Sequence, residues 1–204
     1  MFPDLQTTIA GLALPDTISA DRLAALDSLA ARIRASHDAG DTARLTFICT
    51  HNSRRSHMAQ IWAQTLAHHH GVGPIETYSG GTEATAFNPR AVASMRRMGF
   101  DVLDPGGDNP RYEVRWAAAA DPMICFSKTY DDAWNPARDF TAVMVCSDAD
   151  ERCPVVAGAT HRVAIPYEDP KAADDTDQEA ARYDERSRQI AAEIDHVMRQ
   201  MAGS

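Results

Sequence analysis

The sequence has no apolar run approaching the roughly 20 residues that a membrane-spanning helix needs, and its start lacks the basic and apolar segments of a signal peptide. Both absences lead to the expectation of a soluble, cytoplasmic protein without membrane contact. Cysteine is scarce. Cys49, Cys125, Cys146 and Cys153 include no pair in the C-x-x-C spacing of a zinc ribbon, so no metal site is expected, nor any cofactor. In a chain without an export signal, four thiols argue for thiol chemistry over a structural disulfide framework. Positive charge is also short: 20 Lys and Arg stand against 29 Asp and Glu, a net −9 that argues against nucleic acid or an anionic membrane as partner. At 204 residues the chain fits one domain able to bury a full core.

What the chain does have is the stretch Leu45–Met58, LTFICTHNSRRSHM. Leu45 to Ile48 run apolar or β-branched into Cys49, five residues separate Cys49 from Arg55, and a helical apolar pattern starts at Ser56. Strand, tight loop and helix follow one another. Backbone N–H groups of Thr50, His51, Asn52, Ser53, Arg54, Arg55 and Ser56 can wrap one tetrahedral oxyanion, because nests and helix N-termini both favour negative charge. A planar Arg55 guanidinium can grip two of its oxygens, and a thiolate at Cys49 is then the nucleophile. Asn52 is placed to hold the loop through its side chain, and Ser56 to hydrogen-bond the sulfur. The plain alternative is a buried strand-end cysteine, which packs as a small hydrophobe. Arg44, His51, Arg54, Arg55 and His57 are expected to form a local positive patch suited to a small anion.

The rest of the chain alternates helices and strands. Residues 1–43 form an N-terminal helical extension, with helices expected over Asp4–Leu12 and from an N-cap at Ser19 to about Ser36. The stripe Leu23, Leu26, Leu29 and Ile33 reads as a face packed on the domain, with homodimer formation as the minority alternative. Ser56–His70 is a helix stopped by Gly71, and His68–His70 read as its solvated end because consecutive helical residues point in different directions. Ile75–Ser79 is a strand, and Asn88–Met98 a helix opened by Pro89. Residues 101–139 read as an insertion with a hairpin of Tyr112–Trp116 and Met123–Ser127, Cys125 being a packed core cysteine. Phe140–Cys146 and His161–Ile165 are strands, and Ala180–Met201 closes the fold as a helix. This alternation predicts an α/β fold, a small doubly wound parallel sheet over residues 44–204. Cys49, Cys146 and the loop after Ile165 should then meet at one carboxyl edge.

The run CTHNSRRS, with TYSGGTEATAFNPRAV after it, resembles the phosphate loop and bordering strand of low-molecular-weight protein tyrosine phosphatases and of the thioredoxin-coupled arsenate reductases related to them. The resemblance covers residues 44–100 and 140–200. Two departures are His51, where the family usually has Gly, and Arg54, where it often has Cys. CSDADERCP, Cys146 to Pro154, resembles the redox segment of the arsenate reductases, on what reads as a flexible stretch. Asp169-Pro170 matches the family's acid loop, with Glu168 as the neighbouring alternative. Lys171-Ala172-Ala173 lacks the aromatics that tyrosine phosphatases commonly carry there.

The resemblance implies arsenate reduction. Cys49 attacks arsenic, Asp169 protonates the departing hydroxyl, Cys146 attacks Cys49 with release of arsenite, and Cys153 ends as a Cys146–Cys153 disulfide that thioredoxin or a similar dithiol reduces. The rival is a phosphatase using Cys49 and Asp169 through a phosphocysteine. A third, non-enzymatic reading is an oxyanion-binding or redox-sensing module.

Overall fold

The computed structural model describes residues 1–152 and 155–202, with Arg152 described by its backbone alone. Its main sheet is parallel. β1 (Ala43–Cys49) lies between β2 (Ile75–Gly81) and β6 (Phe140–Met144), and β7 (Ala159–Ala164) borders β6, giving the order β2-β1-β6-β7. The chain enters at β1, moves outward to β2 and later returns to the other side of β1. That reversal is the mark of the doubly wound fold, and ligands in such sheets bind at the carboxyl end of the strands where the order reverses. Here the reversal falls between β1 and β6, whose ends carry Cys49 and Cys146.

The helices follow the capping signals. Ser19 Oγ accepts from the Arg22 amide at the start of α2 (Ala20–Asp38), a cap that contributes about 1 kcal/mol. Asn88 does the same for α4 (Pro89–Arg97), which has proline in its first turn. α3 (Arg55–His70) ends at Gly71 in the left-handed conformation. Besides Met58, Ile61, Trp62, Thr65 and Leu66, it buries Ala59, Gln60, Ala63 and Ala67. Polar side chains reach out on both sides: Gln60 Nε2 donates to the Thr77 carbonyl of β2, and Trp62 Nε1 to Ser187 Oγ of α6 (Glu179–Arg199). α3 is therefore sandwiched between sheet and helix, which is why it is apolar on more than one face. Leu26, Leu29 and Ile33 of α2 and Leu5 and Ile9 of α1 (Pro3–Ala10) join the same core.

Three details differ from the sequence reading. The segment 101–139 holds three antiparallel strands, because Asp101–Leu103 (β3) pairs with β4 (Tyr112–Arg115), which pairs with β5 (Met123–Cys125). A three-residue strand has too little pattern to read. Strand β6 stops at Met144, and Ser147–Arg152 forms a short helix, α5, where a flexible stretch was expected. Cys146 supplies its start: Sγ accepts from the Ala149 amide at 3.4 Å, with Asp148 and Asp150 in the first turn. The loop after β7 ends in a 3-10 helix, Pro170–Ala173.

Candidate active site

The loop between β1 and α3 is held from outside through its carbonyl groups. The Cys49 carbonyl accepts from the Thr82 amide, the Thr50 carbonyl from the Glu83 amide and Thr82 Oγ1, and the Ser53 carbonyl from the Asn88 amide. The His51 carbonyl accepts from Ser127 Oγ at 2.9 Å and Thr85 Oγ1 at 3.2 Å. In a trans peptide the N–H of the next residue points opposite to the carbonyl. The amides of Thr50, His51, Asn52 and Arg54 are thereby turned inward, joined by the first-turn amides of α3 that have no helical acceptor. Such a ring of N–H groups suits one tetrahedral oxyanion. Gly81, opposite Cys49 in the sheet, makes room for it: a Cβ there would lie 2.2 Å from the Glu83 oxygen and 2.7 Å from the Asn52 nitrogen.

At the centre, Cys49 Sγ lies 3.1 Å from Ser56 Oγ, which accepts from Asn52 Nδ2 at 2.8 Å. Asn52 Oδ1 accepts the Lys128 amide at 3.0 Å. Asn52 takes the positive φ of the loop, 45°, a conformation Asn tolerates better than most residues. His51 is absent from the positive-φ positions, so replacing the usual glycine costs no strain there. The His51 side chain is half exposed, with Nε2 3.8 Å from Glu83.

Two arginines tie the loop to the segment that carries Asp169. Arg55 donates from Nη1 to the Tyr167 carbonyl at 2.8 Å and from Nη2 to Asp169 Oδ2 at 2.7 Å. Asp169 Oδ1 also accepts the Lys171 amide. Glu168 is turned outward to Arg186, leaving Asp169 as the carboxyl group at the loop. Arg54 donates to Tyr183 Oη at 2.8 Å, pairs with Asp174 at 3.4 Å and lies 3.9 Å from Asp169 Oδ1. Burial and the Asp174 hydrogen bond push the Tyr183 phenol up to about 12, so it stays a neutral donor.

The positive patch expected around the loop does not form. Arg44 sits at the far end of β1 and pairs with Glu76. His57 is fully buried, stacked on Phe87, and its pKa falls well below the usual 6.5 through burial first and the Lys128 charge second. Arg54 and Arg55 are matched by Asp174 and Asp169. The loop's positive character thus comes from its amides, with Arg55 balanced by Asp169. Cys146 is buried, and its sulfur lies 3.5 Å from Oγ1 of Thr50, the residue after Cys49. Cys125 is a core cysteine whose burial pushes its thiol up to about 12. Cys153 lies outside the described residues. Among the described residues, no group of three or more His, Cys, Asp or Glu side chains is arranged to hold a metal ion. His70 pairs with Asp195, while His68 and His69 are exposed. No helix among those residues is long and apolar enough to cross a membrane.

Sequence reasoning missed Ser127, Lys128, Arg22 and Asp174, none of which carries a local motif, and did not foresee that the Arg54 side chain pairs with Asp174 and Tyr183.

A cysteine and an arginine framing a ring of inward amides, at the reversal point of a parallel sheet, define a phosphate-loop protein. Residues 44–201 match the family described as low molecular weight phosphotyrosine protein phosphatase, and the chain belongs to that family. Relatives include an arsenate reductase of Bacillus licheniformis, 30% identical over 142 residues that cover 70% of this chain and 84% of the relative. One from Shouchella clausii is 32% identical over 133 residues, 65% of this chain and 78% of the relative. Among solved structures, an arsenate reductase in the phosphate-binding state aligns with TM-score 0.51 and 19% identity, over 78% of this chain and 98% of the other. A low molecular weight protein tyrosine phosphatase from T. tengcongensis aligns with TM-score 0.53 and 16% identity, over 78% of this chain and 99% of the other. These two likenesses establish the fold.

Proposed function

We propose that this chain is an arsenate reductase in which Cys49, Cys146 and Cys153 work in series. The observation that carries the reading is the second thiol. Cys146 reaches the strand end beside the nucleophile, with its sulfur against Thr50, whereas hydrolysis of a phosphoester needs only Cys49 and water. The relatives named arsenate reductases support it. Arsenate enters the ring of amides at residues 50–56, and Arg55 exchanges the Tyr167 carbonyl and Asp169 for two of its oxygens. Cys49 thiolate attacks arsenic, and Asp169 delivers a proton to the departing hydroxyl, which leaves as water. Cys146 thiolate attacks the Cys49 sulfur. The S–S bond forms as the S–As bond breaks, its electron pair passing to arsenic, so that As(V) leaves as arsenite, As(III). Cys153 then attacks Cys146, and Cys49 departs as thiolate. A dithiol donor such as thioredoxin reduces the Cys146–Cys153 disulfide by exchange.

The rival reading, phosphomonoester hydrolysis through a phosphocysteine at Cys49, is favoured by family membership itself. Assaying arsenate reduction and aryl-phosphate hydrolysis side by side on wild type and Cys146→Ser separates the two. A reductase loses arsenate turnover at least a hundredfold in Cys146→Ser, while its aryl-phosphate hydrolysis stays near wild type. A wild-type protein that hydrolyses the ester and never reduces arsenate, with a competent dithiol donor supplied, assigns the site to the phosphatase.

A further inference from the structure

The family match starts at residue 44, yet one side chain from before it reaches the acid segment. Arg22 of α2, placed by the Ser19 cap, donates from Nη1 to the Pro166 carbonyl at 2.8 Å. Its Nε and Nη2 both donate to Glu193 Oε2, at 3.1 and 2.7 Å. The guanidinium carbon also sits 4.6 Å above the centre of the Tyr167 ring. The Pro166 carbonyl and the Tyr167 amide belong to one peptide plane. Arg22 holds one edge of that plane, and the Tyr167 amide donates to the Val145 carbonyl on the other. The next carbonyl, that of Tyr167, is the one Arg55 grips, and Asp169 follows two residues later. The start of the acid segment is thus clamped between two guanidinium groups, one from the oxyanion loop and one from residues 1–43.

The pair is built to stay in place. Glu193 is 2% exposed and also accepts from Gln189, and Arg22 is the cation paired with its buried charge. A planar guanidinium meets a carboxylate and a carbonyl at once, which an ammonium does not.

We propose that Arg22 is a positioning residue for the acid of this enzyme: the N-terminal extension orients the Pro166–Tyr167 peptide and, through it, Asp169 and Arg55. This rests on reading Asp169 as the general acid of the same site. A proton donor is effective only within hydrogen-bond reach of the atom it protonates, so a loosened segment loses rate where protonation is needed most.

Arg22→Met keeps the aliphatic stem and removes the fork. The double variant Arg22→Met/Glu193→Gln also removes the buried charge, in case the single variant fails to fold. Each full-length variant is assayed with phenyl phosphate, a poor leaving group, and para-nitrophenyl phosphate, a good one, at a temperature well below its melting transition. Positioning predicts a kcat loss of about tenfold for phenyl phosphate and less than threefold for the nitrophenyl ester, with little change in KM. Arg22→Lys falls between wild type and Arg22→Met. Amide hydrogen exchange gives a readout independent of catalysis: the Tyr167 and Lys171 amides exchange at least tenfold faster in the variants, while that of Ile165 is unchanged. Equal kinetic losses for both esters, or none, overturn the proposal if Asp169→Asn measured alongside shows the selective loss. If Asp169→Asn itself lacks that selectivity, the acid assignment has failed, and exchange alone decides Arg22: unchanged Tyr167 and Lys171 amides overturn it.

Discussion

Cys49 sits 3.1 Å from Ser56 Oγ, and that hydroxyl is held by Asn52, so sulfur, hydroxyl and amide form one short chain behind the oxyanion ring. Cys49→Ser is expected to abolish reduction and ester hydrolysis while phosphate still binds, a result read by assay and by calorimetric titration. Arg55→Lys also loses turnover, by about 100-fold or more, because an ammonium cannot span two oxygens of the anion. Full activity in Cys49→Ser would displace the nucleophile from this loop. His57 supplies a pH prediction. Its folded pKa lies below the ordinary 6.5, so between the two values the unfolded chain binds a proton that the folded chain refuses. Stability is then fullest above pH 6.5 and falls as pH drops, with this one group contributing a slope of up to about 1.4 kcal/mol per pH unit. Urea unfolding of His57→Gln between pH 7 and 5.5 is expected to show a shallower fall than wild type. Parallel curves would mean that His57 takes up its proton in the folded state.

At the scale of elements, the loop depends on the strand beside it. The register sets Cys49 opposite Gly81, and a methyl group at Gly81 would meet the Glu83 oxygen and the Asn52 and Thr50 backbone. Gly81→Ala is therefore expected to lower stability by about 1–3 kcal/mol and to cost more activity than that loss alone explains, since the amide ring must shift. Denaturation midpoints and kcat on the same preparation check this, and an unchanged kcat would show that the ring does not lean on β2. The elements around the site were largely legible because their signals are local: Ser19 and Asn88 as caps, Gly71 as a stop, apolar runs into Cys49 and toward Cys146. Helix α5 was not, because Ser, Asp and Ala after Cys146 have the composition of a loop, and the cap that starts it is a cysteine sulfur. Strand β3 was missed because three residues carry no period.

For the whole molecule, what the sequence conceals is partnership across distance. An arginine on an amphipathic helix looks solvated until its acceptor is known, and Arg22 finds one 144 positions away. Ser127 and Lys128 reach the loop from 76 positions away, so no spacing announces them. Arg44 erred the other way: near Cys49 in sequence, it is carried to the opposite end of the strand by about 3.3 Å per residue of extended chain. Cys49, Arg55, Ser56 and Asp169 could be singled out because the loop is nearly self-contained and Asp169 lies in a distinctive Asp-Pro pair, and the structure brings Cys49 to Ser56 and Arg55 to Asp169. The series of three thiols is the central claim, and Cys153→Ser tests it most directly. Reduced variant protein is exposed to arsenate without a dithiol donor, alkylated, digested and examined by mass spectrometry. The account predicts about one arsenite released per chain and a Cys49–Cys146 disulfide trapped in the peptides. Free thiols at both positions after prolonged exposure would contradict it.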